Sequence, residues 1–238
     1  MIIIIWVIAG IIMSGLAYLV HNKKMYDFIS GYNTSSDEEK KEYEKNGYLA
    51  YTGRFLWGMA FTWIIGIPFV ILDLPYVLEI HTAVFLLYTL VGTVIAQKYV
   101  PEKKKKKGYI ITISISVLTL VFVSVLFFMG MRPSEVIISE QTVSFSGMYS
   151  HEVQFEEIES VELTETLPSN LRRTNGFGTS TRLLGRFSSN ELGKGRMYVF
   201  TEYPPYIFID TKDGFIIVNS KDAEKTIQWY NLLRGKTN

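Results

Sequence analysis

The sequence predicts a membrane domain of four transmembrane helices, residues 1–130, followed by a soluble α+β domain, residues 131–238. Three observations predict this division. Long apolar runs fill the first part of the chain and stop abruptly after it. Short alternating segments and one amphipathic segment, typical of strands and a helix, make up the second part. A run of five lysines, residues 103–107, separates the last two apolar runs. We expect about seven antiparallel strands in a small barrel or bent sandwich, with one C-terminal helix closing one end.

Four apolar runs are each long enough to cross a hydrocarbon core about 30 Å thick, which takes roughly 20 helical residues. They cover approximately residues 1–20, 55–72, 76–96 and 109–130. The first run could also be a secretory signal peptide, which needs basic residues before its apolar part. No charged residue precedes Ile2, and Lys23 and Lys24 follow the run instead. This pattern favours an uncleaved span.

The lysines predict the orientation of the four spans, because short basic loops stay in the cytoplasm. The loops 21–54 and 97–108 both carry lysines, whereas the turn at 73–75 carries none. We therefore expect both loops to be cytoplasmic. With four spans, the N-terminus and the domain 131–238 are then predicted to be extracytoplasmic.

A short helix is predicted within the first loop, in SSDEEKKEYEKNG (35–47). Ser35 with Glu38, or Ser36 with Glu39, has the spacing of a capping box. The helix is expected to lie against the membrane surface or the ends of the spans, because about three turns are marginally stable alone.

The C-terminal domain alternates polar and apolar residues in several short segments, as half-buried strands do. Lys212-Asp213-Gly214 has the composition of a hairpin turn. The last helix is predicted over residues 222–234. Its apolar stripe comprises Ala223, Ile227 and Tyr230, extended by Trp229 and Leu233.

Two stretches carry a resemblance to known families. LRRTNGFGTSTRLLGRF (171–187), YIFIDTKDGFIIVNS (206–220) and the terminal helix resemble a bacterial pleckstrin-homology-like (PH-like) domain. The loop GYNTSSDEEKKEY (31–43) with its flanking spans resembles a family of small bacterial membrane proteins of unknown function. The first resemblance implies a barrel-like binding module without enzymatic activity. The phosphoinositides that many animal PH domains bind are not carried over to a domain expected outside the cytoplasm.

Several classes of chemistry are disfavoured by the residues themselves. The chain has no cysteine, so disulfides, thiol catalysis and cysteine metal sites are excluded. Its three histidines, His21, His81 and His151, stand far apart, and no metal site or cofactor is expected. No nucleophile elbow, phosphate-binding loop or kinase motif is present. Residues 131–238 hold 12 basic and 14 acidic residues, which argues against a nucleic-acid partner.

The best candidate binding group lies in the polar, glycine-rich segment 169–195, interpreted as a loop. Its arginines match phosphate or carboxylate, and its turn residues can offer backbone N–H groups to an anion. The candidates are Arg172, Arg173, Asn175, Gly176, Gly178, Arg182 and Arg186. The alternative is structural: the arginines pair with Glu156, Glu157 or Glu159 and hold the loop on the barrel.

Glu79 and His81 are the candidate polar residues of the membrane domain, since ionisable groups in a span are costly and often functional. Both lie near the outer end of the third span, so an interfacial role competes with a proton relay. The sequence thus predicts a non-enzymatic membrane protein with a binding module for a protein, peptide or lipid head group of the cell envelope. A transport accessory or toxin-immunity protein that uses Glu79 and His81 is the alternative. The lipid bilayer is the expected partner, with another envelope protein or an anionic lipid as further candidates.

Overall fold

The computed structural model describes residues 2–72, 74 and 76–237. The predicted outer turn therefore lies partly outside the described residues, because Asp73 and Pro75 do. The chain forms two compact units, Met1–Phe122 and Val123–Asn238. We call them the membrane domain and the sheet domain.

Among the described residues, four helices are long and apolar enough to cross a membrane by length and composition, which confirms the predicted membrane protein. Together with the short helix α2, the helices are α1 (Ile2–His21), α2 (Asp37–Lys45), α3 (Tyr48–Ile71), α4 (Val77–Ala96) and α5 (Glu102–Met131). α3 begins at Tyr48 rather than at residue 55, because amphipathic tyrosine-rich turns precede its apolar run. α5 runs on from the membrane domain into the sheet domain.

The lysine run is helical and not part of a loop, because α5 begins at Glu102, directly after Pro101. Cations in a first helical turn oppose the helix dipole, so acidic partners are needed nearby. Lys104 Nζ lies 2.7 Å from Glu39 Oε2 in α2, and Lys105 Nζ lies 2.6 Å from Glu102 Oε2. These two ion pairs offset part of that unfavourable charge.

The first loop folds back onto the ends of the spans. Ser36 caps α2 in a reciprocal capping box with Glu39, so the second of the two predicted pairings is the one formed. An apolar cluster joins this loop to α1, α3 and the segment before α5; its buried members are Val20, Ile29, Tyr32, Tyr43, Leu49 and Val100. The Tyr32 hydroxyl donates to Glu44 Oε1 at 2.8 Å. Burial of Tyr32, together with this hydrogen bond, raises its pKa to about 12.

The sheet domain contains nine strands in its described residues, where about seven were expected. They are β1 (Val136–Ile138), β2 (Thr142–Phe145), β3 (His151–Gln154), β4 (Ile158–Thr164), β5 (Arg172–Gly178), β6 (Arg182–Ser189), β7 (Gly193–Phe200), β8 (Tyr206–Thr211) and β9 (Gly214–Val218). β1–β3 form one antiparallel sheet, and a second sheet has the order β4-β8-β9-β7-β6-β5. All neighbours are antiparallel except β7 and β9. The described strands do not close into the predicted barrel, because β4 and β5 are the two edges of the larger sheet.

The two extra strands, β5 and β6, replace the predicted loop 169–195. Gly176 and Gly185 pair directly across them. Gly185 has a φ of +116°, and a Cβ atom there would lie 2.6 Å from the Asn175 carbonyl oxygen. Only glycine fits such an approach, so the glycines that suggested a loop are what bring the two strands together.

The main core lies between the two sheets and the final helix α6 (Ala223–Thr237). Its fully buried members include Phe145, Leu184, Tyr198 and Leu233. α6 is the predicted C-terminal helix, but its buried residues are Thr226, Trp229 and Leu233, and Ile227 is exposed. Asp222 caps it, since its Oδ1 accepts a hydrogen bond from the Glu224 backbone N–H at 3.0 Å.

Candidate functional site

A cavity of about 520 Å³ opens where the first residue of β3 faces β6, β7 and the β8–β9 turn of the sheet domain. We call it the basic cavity. The ionisable side chains that line it are His151, Arg186, Lys194, Arg196 and Asp213, and the hydroxyl-bearing ones are Thr174, Ser188 and Thr211. Three permanent cations thus face one carboxylate. The cavity is suited to an anion.

Arg186 and Arg196 are the centre of this cavity because they are direct partners in the antiparallel pairing of β6 and β7. Residues paired in this way lie on the same face of a sheet, and like charges at such positions destabilise it. Arg186 is exposed and Arg196 is half-buried. None of the ion pairs found in the described part of the chain involves either arginine. An anion held between the two guanidinium groups would relieve their repulsion.

Hydrogen bonds from two neighbouring side chains hold the strands that carry these arginines. Thr174 Oγ1 donates to the Arg186 carbonyl oxygen at 3.1 Å, which fixes β5 against β6. On the other strand, Arg196 neighbours Tyr198, whose hydroxyl donates to the Tyr149 carbonyl oxygen at 2.7 Å. Burial raises the pKa of Tyr198 to about 12, and the nearby Arg196 opposes that rise. The Tyr198 hydroxyl therefore stays protonated as a donor.

His151 is the titratable member of the site. Burial lowers the pKa of His151, and the positive charge of Arg196 lowers it further. Glu157 and Asp213 act in the opposite direction, and Arg186 acts in the same direction as Arg196. The ring is therefore neutral at pH 7. An anion in the basic cavity would favour its protonation, because the added negative charge offsets the arginines.

Of the predicted candidates, Arg186 lines the basic cavity. Arg172, Arg173 and Asn175 lie exposed on β5, and Arg173 Nη1 donates to the Gly178 carbonyl oxygen at 3.2 Å. Gly176 and Gly178 are strand residues of the same hairpin. In the described residues no ion pair joins the arginines to Glu156, Glu157 or Glu159, the partners that the structural alternative requires.

Arg182 has a different role from the other arginines, because its side chain is fully buried at 0% exposure. Its guanidinium donates to the Gly130 and Arg132 carbonyl oxygens, at 3.4 and 3.2 Å, and to Ser134 Oγ at 3.1 Å. It also lies 4.1 Å from the centre of the Phe200 ring. Burial lowers the pKa of Arg182 to about 10, so it remains cationic at neutral pH. The carbonyls at the end of α5, the negative end of a helix dipole, stabilise this charge.

Lys194, Arg196 and His151 were missed in the sequence. Lys194 and Arg196 alternate with Gly195, just as Arg186 and Ser188 alternate with Phe187 on the neighbouring strand. Basic residues that alternate along two neighbouring strands lie on one face of each strand. This pattern in the sequence could have indicated the basic cavity. His151 gives no local signal, because it reaches the cavity from the other sheet.

The two polar residues of the third span lie in α4. Glu79 is half-buried in its first turn. His81 Nε2 donates to the Thr62 carbonyl oxygen at 2.9 Å, and its ring packs against Trp6 and Trp63 with centroid distances of 4.4 and 5.3 Å. Its Nδ1 atom is buried and lacks a hydrogen-bond partner in the described residues. His81 thus packs α4 onto α1 and α3.

Two family models match the chain. The model for a domain of unknown function (DUF3784) matches residues 7–100, and the model for a bacterial PH domain matches residues 135–232. No curated protein and no solved structure matched. The two models coincide with the two stretches that carry the family resemblances in the sequence, and four membrane-length helices precede β1. The chain therefore joins a DUF3784 domain, residues 7–100, to a bacterial PH domain, residues 135–232.

Proposed function

We propose that this membrane protein is a non-enzymatic binding module whose PH domain captures an anionic group of a cell-envelope partner. The observation that carries the proposal is the direct pairing of Arg186 with Arg196 in the wall of a cavity of about 520 Å³. The group bound is a phosphate or a carboxylate, because arginine forks match both. It belongs to a protein, a peptide or a lipid head group.

The binding site supports a ligand better than it supports catalysis. Arginines and a lysine can hold an anion, but a hydrolytic reaction also needs a nucleophile with a neighbouring general base. The hydroxyl groups of Thr174, Ser188 and Thr211 line the cavity. The Thr211 hydroxyl is already engaged, because it donates to the Gly214 carbonyl oxygen at 2.5 Å. The Thr174 hydroxyl is engaged as well, because it donates to the Arg186 carbonyl oxygen. Of the three, the Ser188 hydroxyl is therefore the one suited to donate to a bound anion.

The proposed orientation places the PH domain outside the cytoplasm. The contact of Lys104 with Glu39 supports it, because it brings the two lysine-bearing segments to the same end of the membrane domain. Such lysine-rich segments stay cytoplasmic. A phosphatase reporter that is active only outside the cytoplasm should be active after Asn238 and inactive after Lys106. Activity at both positions would overturn this orientation.

Binding is tested with the full chain in phosphatidylcholine nanodiscs, titrated separately with inorganic phosphate and with citrate by isothermal calorimetry. Replacing Arg186 and Arg196 together with Gln should weaken binding of the better probe about thirtyfold, since each charged hydrogen bond contributes about 1 kcal/mol or more. Arg172→Gln is the matched control, an exposed arginine of the same sheet outside the cavity. Equal binding by the double variant would overturn the proposal. Co-sedimentation with phosphatidylglycerol vesicles then separates a lipid head group from a soluble ligand.

A further inference from the structure

The membrane domain has a basic residue, Arg54, that was predicted to lie in a loop but lies in a helix. Arg54 closes the predicted loop 21–54, but α3 already begins at Tyr48. Arg54 therefore lies in the second turn of α3, about 9 Å along the axis from its first residue at 1.5 Å per residue. Its side chain is exposed. It has neither a hydrogen bond nor an ion pair to any other residue of the described ranges.

Arg54 lines a groove of about 400 Å³ between α3 and α4, which we call the α3–α4 groove. Aromatic rings form one wall: Tyr51 stacks on Tyr99 with centroids 4.8 Å apart, and Phe55 stacks on Tyr88 at 5.5 Å. The hydroxyl of Tyr51 donates to the Gly92 carbonyl oxygen at 2.8 Å. This hydrogen bond holds the Tyr51 ring in place at the groove.

The groove continues along apolar residues of α4. Val91 and Ile95 line it and are 54% and 44% exposed. Gly92 lies between them, and a Cβ atom there would collide with the Phe55 ring. The glycine therefore lets the Phe55 ring lie close against α4 in the wall of the groove. Arg54 is thus the single cation among the described residues that line the groove, and the others are apolar, aromatic or glycine.

We propose that the α3–α4 groove binds one anionic phospholipid, with its phosphodiester on Arg54 and an acyl chain against the apolar and aromatic residues that line the groove. Charge complementarity favours this occupant, because a guanidinium pairs with a phosphate through two parallel hydrogen bonds. Basic pockets between membrane helices hold lipid head groups in the same way. The site is separate from the basic cavity of the PH domain and does not depend on the function proposed for it.

The test uses the full chain purified in detergent and examined by native mass spectrometry with added phosphatidylglycerol or phosphatidylcholine. The natural sequence should retain one phosphatidylglycerol in preference to phosphatidylcholine. Arg54→Ala should weaken phosphatidylglycerol binding about tenfold, and Arg54→Lys should weaken it less, since lysine keeps the charge but not the fork. Lys98→Ala is the matched control, an exposed cation next to Tyr99 that does not line the groove.

The PH-domain variant with Arg186→Gln and Arg196→Gln should retain the lipid as the natural sequence does, which separates this site from the basic cavity. Circular dichroism and size-exclusion chromatography check that each variant is folded. Gly92→Ala offers an independent variant, because it forces the Phe55 ring to move and should also reduce lipid retention. Unchanged retention in folded Arg54→Ala, or an equal loss in Lys98→Ala, would overturn the proposal.

Discussion

The first residue and the middle of strand β6 carry arginines in opposite surroundings. Arg182 and Arg186 are four residues apart and point to the same face, yet one is fully buried and the other is exposed in a cavity. Arg182 meets backbone carbonyls and the Phe200 ring, whereas Arg186 meets Arg196. The buried cation is thus stabilised by the chain itself. The exposed one faces a repulsion that an external anion can remove.

The largest effect should come from removing the buried cation. Arg182→Met should lower the free energy of unfolding of the PH domain by about 3 kcal/mol, because it breaks charged hydrogen bonds and leaves Ser134 without this partner. Amide hydrogen exchange of β6 and β7 in the full chain should then accelerate about a hundredfold. Arg186→Met is the matched control and should leave exchange unchanged or slightly slower. Similar acceleration in both variants would contradict the conclusion that Arg182 stabilises the fold and Arg186 does not.

A bound anion should stabilise the PH domain through Arg186 and Arg196 and not through Arg182. Sulfate at a hundred times its dissociation constant should stabilise the PH domain by about 2.7 kcal/mol through mass action. The shift should persist in Arg182→Met and vanish when Arg186 and Arg196 are both Gln. Thermal unfolding of each variant with and without sulfate provides the measurement. A shift that survives in the double variant would place the anion elsewhere.

The pH dependence of anion binding should also arise in the basic cavity. His151 has a lowered pKa in the folded protein, so the neutral ring is favoured until an anion arrives. Protonation therefore accompanies anion binding, and sulfate affinity should rise several-fold between pH 7.5 and pH 5.5. Without an anion, lower pH has the opposite effect on folding. The stability of the PH domain falls as the pH drops below about 6.5, the pKa of His151 in the unfolded chain. His151→Gln should flatten both dependences, and sulfate is the suitable probe because it does not titrate in this range.

The smallest effect is expected from the arginines of the edge strand. Arg172 and Arg173 are exposed on β5 and do not line the cavity. Replacing both with Ala should weaken sulfate binding no more than about threefold, through long-range attraction that 0.5 M salt removes. Calorimetry at low and high salt measures this. A loss as large as that of the Arg186 and Arg196 variant would move the ligand from the cavity to β5.

Sequence patterns were sufficient for the membrane helices, because apolar length is a local property. Strands β2 and β3 followed from alternation, and the β8–β9 hairpin followed from its Lys212-Asp213-Gly214 turn. The glycine-rich segment 169–195 was interpreted as a loop, since glycine and asparagine are poor strand formers. Its strands depend on the close contact between Gly176 and Gly185, which only the folded chain reveals.

The candidate site was predicted only in part for a related reason. The cluster of arginines was visible, but neither the burial of Arg182 nor the pairing of Arg186 with Arg196 can be inferred from spacing. Burial depends on the end of α5, about 50 positions earlier in the chain. The cavity also depends on His151 from the other sheet. Long-range contacts decided which arginine is structural and which is available to a ligand.

The parallel pairing of β7 with β9 has a consequence for the rate of folding. β5 to β7 are joined by short turns, as are β8 and β9, so each group can form within microseconds. The two groups meet along β7 and β9, where residues 195–198 pair with residues 215–218, after the intervening chain has been closed into a loop. Non-local pairings of this kind are slow. A side chain at position 195 would collide with the Phe215 backbone, so substitution there should delay completion of the sheet.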